Sequence, residues 1–187
     1  MRNLIFLIAI VCLAACNNDK VESMHSDEST KADSLNYPYT ADYSHNFEIG
    51  SSKNAMILLQ LYKDWDNNTL ENSKNSFAEN NDTLYFSDGN MFAGNRDSLI
   101  KVATQARTQM GTVVDSVHAW VPLKSKDKNE EWVAIWTREI STDSTGKRSA
   151  TELHEIWRFD KDGKINLVYQ FAIAPPKMPP PPMPKKK

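Results

Sequence analysis

The chain has 187 residues, with 22 basic and 24 acidic side chains and a formal net charge of −2 at pH 7. Such a balance lacks the basic field that binds nucleic acid, so we expect no nucleic-acid partner. The length suits one domain with a real core.

The N-terminal residues predict export to a bacterial cell envelope. Arg2 precedes an apolar stretch from Leu4 to Leu13 that is too short to span a bilayer as a helix. The quartet Leu-Ala-Ala-Cys that ends at Cys16 resembles a bacterial lipobox, whose cysteine receives lipid. We therefore expect residues 1–15 to be a lipoprotein signal peptide and Cys16 to anchor the protein to a membrane, facing the periplasm or the cell surface. The alternative is an ordinary signal peptide cut elsewhere.

Neither of the two cysteines would provide a free thiol in the exported chain. Cys12 leaves with the signal and Cys16 carries lipid, so no disulfide or cysteine-rich metal site is expected. Residues 16–36 are polar and mixed in charge, which predicts a disordered tether. Residues 174–187 hold seven of the nine prolines and end on three lysines. This basic tail is either simply solvated or a ligand for a proline-recognising partner or anionic lipid.

Helical patterns come first in the globular part. Apolar residues recur at helical spacing from Asn54 to Trp65 and predict a first helix, which the polar run 66–69 ends. A shorter helix is predicted at about 70–77, and the segment TLYFSDG that follows is typical of a strand and turn. A third helix should begin at the capping residue Asn95 and stop at Gly111.

Beyond the third helix the hydrophobic period changes from helical spacing to two, which predicts strands. We expect them at 112–123, 131–141, 149–159 and 163–173, joined by polar turns. Helices followed by a four-strand meander indicate an α+β domain over residues 37–173, in which a curved antiparallel sheet wraps around three N-terminal helices.

Three segments of this domain resemble the nuclear transport factor 2-like (SnoaL-like) superfamily. They are LYKDWDNNTLEN, FSDGNMFAGNRDSLI and IWRFDKDGKINLVYQF, within about residues 54–172. The resemblance implies a cone whose concave sheet face and helices enclose an apolar pocket. Members of the superfamily include isomerases, dehydratases and cyclases, but many only bind ligands or proteins, so the fold does not choose a function.

A comparison with the ketosteroid isomerases of this superfamily singles out Glu155. In those enzymes a carboxylic acid kept neutral by its apolar site lies four residues before the phenylalanine that precedes the hairpin turn. Glu155 stands at that position, and with a turn over 160–163 we expect it beside Val168. Desolvation should raise its pKa, and Gln170 or Tyr62 could donate a hydrogen bond to it. The predicted pocket is lined by Glu155, Trp157, Leu153, Gln170, Val168 and Tyr62.

The other parts of an isomerase do not carry over. Phe86 stands where the general base is expected, with Asp88 two residues late. Leu61 stands where the oxyanion tyrosine is expected, with Tyr62 one residue later. Without a base there is no proton to shuttle, so isomerase chemistry is not expected. A shifted alignment that uses Tyr62 and Asp88 is the alternative.

Metal and cofactor sites are not expected. His118 and His154 lie on predicted strands with no second histidine at metal spacing, and His154 alternates to the face opposite Glu155. No phosphate-binding loop or serine elbow occurs. Trp132 and Trp136 share one side of their strand, either as packing residues or as a stacking wall for a flat ligand.

The outer face of the sheet is a candidate for self-association. The hairpin residues predicted to point away from Glu155 are Ile156, Ile165, Leu167, Tyr169 and Phe171. An apolar face of this kind marks interfaces, so we expect a homodimer. Alternatively, residues 37–50 cover the face.

Three functions follow from these patterns. The leading one is a membrane-anchored lipoprotein whose pocket binds a small apolar ligand or a protein partner without catalysis. The second is a SnoaL-like lyase, isomerase or hydrolase that acts on a small hydrophobic substrate with Glu155 as the acid. The third is a structural envelope protein that acts through its proline-rich tail.

Overall fold

The computed structural model describes residues 36–173. Residues up to Thr40 belong to a unit separate from the domain that begins at Ala41. The predicted signal peptide, nearly all of the tether and the proline-rich tail lie outside the described residues. Within residues 36–173, no helix is long and apolar enough to cross a membrane.

The three predicted helices are present, and their capping residues explain where they begin. Helix α1 spans Ser52–Asp66, and the Ser51 side chain caps it by accepting a hydrogen bond from the Lys53 amide at 3.3 Å. The second helix, Leu70–Ser76, is a 3₁₀ helix. Helix α2 spans Arg96–Gln109, and Asn95 caps it as predicted.

Gly111 ends the last helix for two reasons. Its φ of 74° lies in the left-handed region, which favours glycine. A Cβ atom at this position would also lie 2.2 Å from the Thr142 carbonyl oxygen. The chain therefore turns tightly from α2 into the sheet.

The sheet has seven strands in the order β1-β4-β5-β6-β7-β2-β3. The four predicted strands correspond to the long β4 to β7, while the edge strands β1 and β3 were not predicted. Strand β2 runs parallel to β7, with Tyr85 opposite Tyr169, so the sheet is mixed rather than wholly antiparallel. The strands are β1 Phe47–Ile49, β2 Asn80–Tyr85, β3 Met91–Asn95, β4 Thr112–Ser125, β5 Glu130–Thr142, β6 Arg148–Phe159 and β7 Ile165–Ala172.

The register of the last hairpin differs from the prediction by two residues. The turn at 160–163 forms as expected, since the Gly163 amide donates to the Asp160 carbonyl at 3.0 Å. However, Phe159 pairs with Ile165, one residue beyond its expected partner, and a bulge next to Phe159 adds a second residue, so Glu155 lies opposite Gln170 instead of Val168. Val168 lies opposite Trp157.

The core lies between α1 and the inner face of the sheet. Leu58 of α1 is fully buried, as are Val133 and Ile135 of β5. Burying such a side chain stabilises the fold by about 1.5 to 3 kcal/mol. Ile165 also belongs to this core, so its predicted place on the outer face is wrong. The bulge beside Phe159 turns it inward.

The outer face of the sheet keeps large apolar side chains in solvent. Trp136 is 39% exposed and Phe171 is 55% exposed, and Trp136 stacks on His154 at a ring distance of 4.7 Å. His154 therefore faces away from Glu155, as predicted. Residues 47–49 pair with β4 and extend the sheet, and Tyr43 packs edge-on against Trp132 of the outer face, while Trp136 and Phe171 stay exposed.

Candidate functional site

Glu155 lies on the inner face of the sheet, where three donors enclose its carboxylate. It is 3% exposed. Its Oε2 accepts hydrogen bonds from the Tyr62 hydroxyl of α1 and from Trp157 Nε1, the latter at 2.7 Å. Its Oε1 accepts one from Gln170 Nε2 at 2.5 Å. All three neighbours had been predicted to line the pocket, and the structure brings them together on one carboxylate.

Gln170 is held in place by a second set of contacts. Its Oε1 accepts hydrogen bonds from the backbone amide of Ser87 at 3.2 Å and from the Ser87 hydroxyl at 2.9 Å. Because the amide oxygen is engaged by these donors, the amide nitrogen must face Glu155. The hydrogen-bonded chain therefore extends from the turn after β2, through β7, to Glu155.

Burial and hydrogen bonding act on the pKa of Glu155 in opposite directions. Desolvation raises the pKa and outweighs the hydrogen bonds from Tyr62, Gln170 and Trp157, which lower it. The Tyr62 hydroxyl has its pKa raised well above the ordinary value by burial and by the adjacent Glu155 charge. Tyr62 therefore keeps its proton and donates it in a hydrogen bond to Glu155, as Trp157 and Gln170 also donate.

The remaining predicted pocket residues pack around this group. Leu153 is buried two residues from Glu155, and Val168 is 1% exposed opposite Trp157. The inner face around the carboxylate is therefore mainly apolar, as predicted. Val168 is not the direct cross-strand partner of Glu155, so its predicted register is wrong, while the role of these residues in binding stays a prediction.

Of the two residues in the shifted alignment, Tyr62 lies at Glu155 and Asp88 does not. Tyr62 reaches Glu155, although the isomerase pattern places the tyrosine one residue earlier. Asp88 instead lies in the β2–β3 turn, where it accepts hydrogen bonds from Asn90 at 2.9 and 2.7 Å. Phe86 packs against the core. No base from this turn therefore joins Glu155.

A second carboxyl group on the inner face, Asp115 of β4, was not predicted. Both of its carboxyl oxygens are buried, and neither has a hydrogen-bond partner among the described residues. Burial, followed by the charges of Glu139, Asp66 and Glu155, raises its pKa from 3.8 to about 8. Alternation along β4, which places Asp115 between the inward residues Val113 and Val117, was the available signal.

Two further carboxylates lie close to Asp115. Glu139 is its cross-strand partner on β5 and accepts a hydrogen bond from Trp65 Nε1 at 2.9 Å. Asp66, at the end of α1, accepts a hydrogen bond from the Asp115 amide at 2.8 Å. Desolvation raises the pKa of Glu139 as well. The inner face thus carries a group of acids beside the Glu155 network.

The nearest buried cation does not neutralise these acids directly. Arg107 is 3% exposed, and its guanidinium donates to the backbone carbonyls of Trp65, Asp66 and Gly111 at 2.6 to 2.8 Å. It joins the end of α1 to the end of α2. Across residues 36–173, no group of three or more histidines, cysteines and carboxylates is arranged to hold a metal ion.

Thr137 completes the inner face between Glu139 and Ile135. It is 1% exposed. Its hydroxyl lies beside Tyr62 and, within the described part of the chain, meets no partner at ordinary hydrogen-bond geometry. Together with Asp115, it leaves polar atoms available next to the fully bonded Glu155.

A cavity of about 550 Å³ lies elsewhere, between the N-terminus of α1 and the β4–β5 and β6–β7 turns. Asn54, Lys124 and Glu131 line it, whereas none of the predicted pocket residues does. No sequence pattern predicted this cleft.

The architecture resembles that of solved proteins. No family model matches the chain, and no curated protein matches it. A nuclear transport factor 2-like protein of unknown function from Exiguobacterium sp. 255-15 superposes with a TM-score of 0.50 and 15% identity, over 63% of this chain and 98% of the other. The domain has the nuclear transport factor 2-like fold. Aln2 from a Streptomyces species gives a TM-score of 0.50 at 9% identity, over 67% of this chain and 94% of its own.

In the nuclear transport factor 2-like fold found here, α1 lies across the concave face and brings Tyr62 to Glu155. The predicted fold class, an α+β cone with a curved sheet around three helices, is confirmed. At these identities the likeness establishes the fold, and function has to be argued from the site itself.

Proposed function

We propose that the protein is a membrane-anchored lipoprotein whose nuclear transport factor 2-like domain binds a small apolar ligand without catalysis. The ligand would contact the apolar inner face around Leu153 and Trp157. The polar atoms of Asp115 and Thr137, which have no partner among the described residues, would receive hydrogen bonds from it.

The observation that carries this proposal is the bonding of Glu155. Tyr62, Trp157 and Gln170 all donate to it, which is the arrangement that suits an ionised carboxylate. If Glu155 were protonated, its own O–H group would meet three donors and none of these three would accept its hydrogen bond. An acid surrounded in this way is poorly placed to give a proton to a substrate, so Glu155 supports binding and structure rather than acid catalysis.

The proposal is tested by extracting the full-length protein from membranes and identifying co-purified molecules by native mass spectrometry. We expect a small apolar compound at about one per chain. Leu153→Trp would fill the inner face and should remove the compound. Val102→Trp, on the exposed side of α2, is the matched control and should retain it. A chain that carries no compound and binds none from a panel of apolar molecules would contradict the proposal.

A second candidate function is favoured by Asp115. A carboxyl group with a pKa of about 8 and no bonded partner within residues 36–173 can exchange a proton near neutral pH. A SnoaL-like lyase, isomerase or hydrolase would then use Asp115 as its proton carrier instead of Glu155. Conversion of a co-purified compound by the wild type, lost in Asp115→Asn and retained in Asp97→Asn on the surface of α2, would favour this function.

The anchor at Cys16 is a proposal from the sequence alone. Cys16→Ser should abolish incorporation of labelled fatty acid and release the chain from the membrane fraction. Cys12→Ser, which alters the other cysteine within the predicted signal peptide, should leave both unchanged. A Cys16→Ser protein that still carries the label would contradict lipidation.

Self-association through the outer face of the sheet is likewise proposed. The side chains of Trp136, Tyr169 and Phe171 form an exposed aromatic surface that a second copy of the same surface would cover. Light scattering should find a dimer, and Trp136→Arg should make it a monomer. A wild-type monomer at high micromolar concentration would reject the proposal.

A further inference from the structure

The cleft at the N-terminus of α1 contains polar groups that the fold does not use. It has a volume of about 550 Å³, which is within the range of small-molecule sites. Ser51 and Asn54 contribute one wall, Lys124 and Glu131 a second, and Asp160 and Lys161 a third. It is separate from the Glu155 network, so its occupation would be a second property of the domain.

Asn54 is the most informative residue of this cleft. It is 6% exposed, and within residues 36–173 its side-chain amide makes no hydrogen bond. Because Asn54 lines the cleft, a molecule bound there could supply the missing hydrogen bonds.

Lys124 provides the second unused group. It is half-buried on β4, directly across from Glu131, and in the part of the chain that the structure describes its ammonium makes no ion pair. Lys161, on the rim, is highly exposed and lies 3.7 Å from the carboxylate of Asp162. The Lys124 ammonium and the Asn54 amide therefore remain available as donors, whereas Lys161 is paired with Asp162.

The carboxylates of the cleft, in contrast, are engaged by the protein. Glu131 accepts a hydrogen bond from the Ser51 amide at 2.9 Å, and Glu130 accepts one from the Tyr43 hydroxyl. Asp160 accepts hydrogen bonds from two amides of its own turn at 2.9 Å.

The guanidinium of Arg158 is also occupied. It donates to Asn166 and pairs with Asp82. Among the described residues that line the cleft, the cation without a bonded partner is thus Lys124, and the Asn54 amide lies beside it as a neutral donor.

From this difference we infer that the cleft binds a small molecule through an oxyanion, a carboxylate or phosphate group, held by Lys124 and the Asn54 amide. The positive end of α1 adds to the attraction, although Glu131 already occupies its first free amide. Charge-assisted hydrogen bonds of this kind require an acceptor of negative charge. The inference concerns a site other than the proposed apolar pocket, and it stands or falls independently of that proposal.

The test is a titration of the full-length protein, followed by NMR of the Asn54 side-chain amide. Sodium phosphate and sodium succinate are the probes, and sodium chloride at equal ionic strength is the reference. We expect a saturable shift of the Asn54 amide with phosphate or succinate and none with chloride. A shift with phosphate alone or with succinate alone identifies the preferred oxyanion, and either supports the inference.

Two substitutions of equal charge change make the test specific. Lys124→Met should weaken binding about tenfold or more, since it removes a charge-assisted hydrogen bond. Lys126→Met removes the same charge from a nearby lysine that pairs with Glu48 at 3.5 Å outside the cleft, and it should change the affinity less than about twofold.

Three results would overturn the inference. They are no saturable shift with either probe, an equal response to chloride, and an equal loss of affinity in the two lysine variants. Asn54→Ala is a further check, because it should weaken binding while circular dichroism confirms that the variant is folded.

Discussion

Glu155 and Asp115 are two carboxyl groups on the same inner face, on β6 and β4, with β5 between them. Glu155 has three bonded donors, whereas both oxygens of Asp115 lack a partner among the described residues. Burial raises the pKa of both groups, but only Glu155 has hydrogen bonds that oppose this effect. The two acids are therefore suited to different roles.

The difference shows that depth of burial alone does not identify a reactive acid. Glu155 is the more buried residue, but its donors fix it as an acceptor within the fold. Asp115 is less buried and has a pKa of about 8, so it can change protonation near neutral pH. We infer that Glu155 mainly stabilises the domain and that Asp115 responds to pH and to ligands.

The largest effect is expected from Glu155→Ala. This change leaves the donors of Tyr62, Trp157 and Gln170 buried without an acceptor, and it should lower the free energy of unfolding by roughly 3 to 5 kcal/mol. Urea unfolding monitored by tryptophan fluorescence measures it.

Glu152→Ala on the same strand is the matched control for Glu155→Ala. Its side chain is 42% exposed, and it forms surface ion pairs with Arg138 and His118, both at 3.4 Å. A loss of about 0 to 1 kcal/mol is expected for it. Equal losses in the two variants would show that the network around Glu155 adds nothing to stability.

A smaller effect is expected from Tyr62→Phe, which removes one donor and keeps the ring. The hydrogen bond is to a carboxylate, so the free energy of unfolding should fall by about 1.5 to 3 kcal/mol. The pKa of Glu155 should rise further, because the lost bond favours the charged form. Tyr169→Phe, on the outer face, should change stability by less than about 0.5 kcal/mol. If Tyr62→Phe is as stable as Tyr169→Phe, the hydrogen bond from Tyr62 to Glu155 does not contribute to stability.

The same comparison shows what the sequence could predict. Hydrophobic period and capping residues located α1, α2 and the four long strands, because these signals are local. The turn at 160–163 was also predicted, but the pairing of Phe159 with Ile165 and the bulge beside it were not, and together they moved Gln170 into the place given to Val168. A bulge is set by packing across the sheet, so a single strand does not reveal it.

Asp115 escaped prediction for a related reason. Its neighbours Glu139 and Asp66 are distant in sequence and meet it only through strand pairing and the end of α1. Glu155 was found because a family resemblance gave its position. The cleft at Asn54 depends on three separate segments, and no local pattern marks it.

Asp115→Asn should remove the part of the pH dependence of stability that comes from the titration of Asp115. The pKa of Asp115 rises from 3.8 to about 8 on folding, so the folded state holds this proton more tightly than the unfolded state. Stability from this group is present below about pH 4 and is lost as the pH rises towards 8. Asparagine stays neutral, so above pH 8 the variant should be more stable than the wild type by about 1 to 3 kcal/mol.

The measurement for Asp115→Asn is urea unfolding of variant and wild type from pH 4 to pH 9. Asp143→Asn is the control with the opposite sign, because hydrogen bonds from Thr145 and from turn amides lower the pKa of this exposed aspartate. Its contribution to stability is present at neutral pH and lost as the pH falls. A constant difference between Asp115→Asn and wild type across the range would rule out a raised pKa for Asp115.

The smallest effect tests why Asp115 titrates so high. After burial, the charge of its cross-strand partner Glu139 is the next cause of the raised pKa. Glu139→Gln removes that charge and keeps an acceptor for Trp65, so the pKa of Asp115 should fall, by roughly one pH unit or less. NMR titration of the Asp115 carboxyl carbon measures this change. Glu131→Gln, at the other end of β5, removes the same charge and should leave the titration of Asp115 unchanged. If the two variants lower the pKa equally, the effect reflects net charge, and the pairing of Asp115 with Glu139 has no special role.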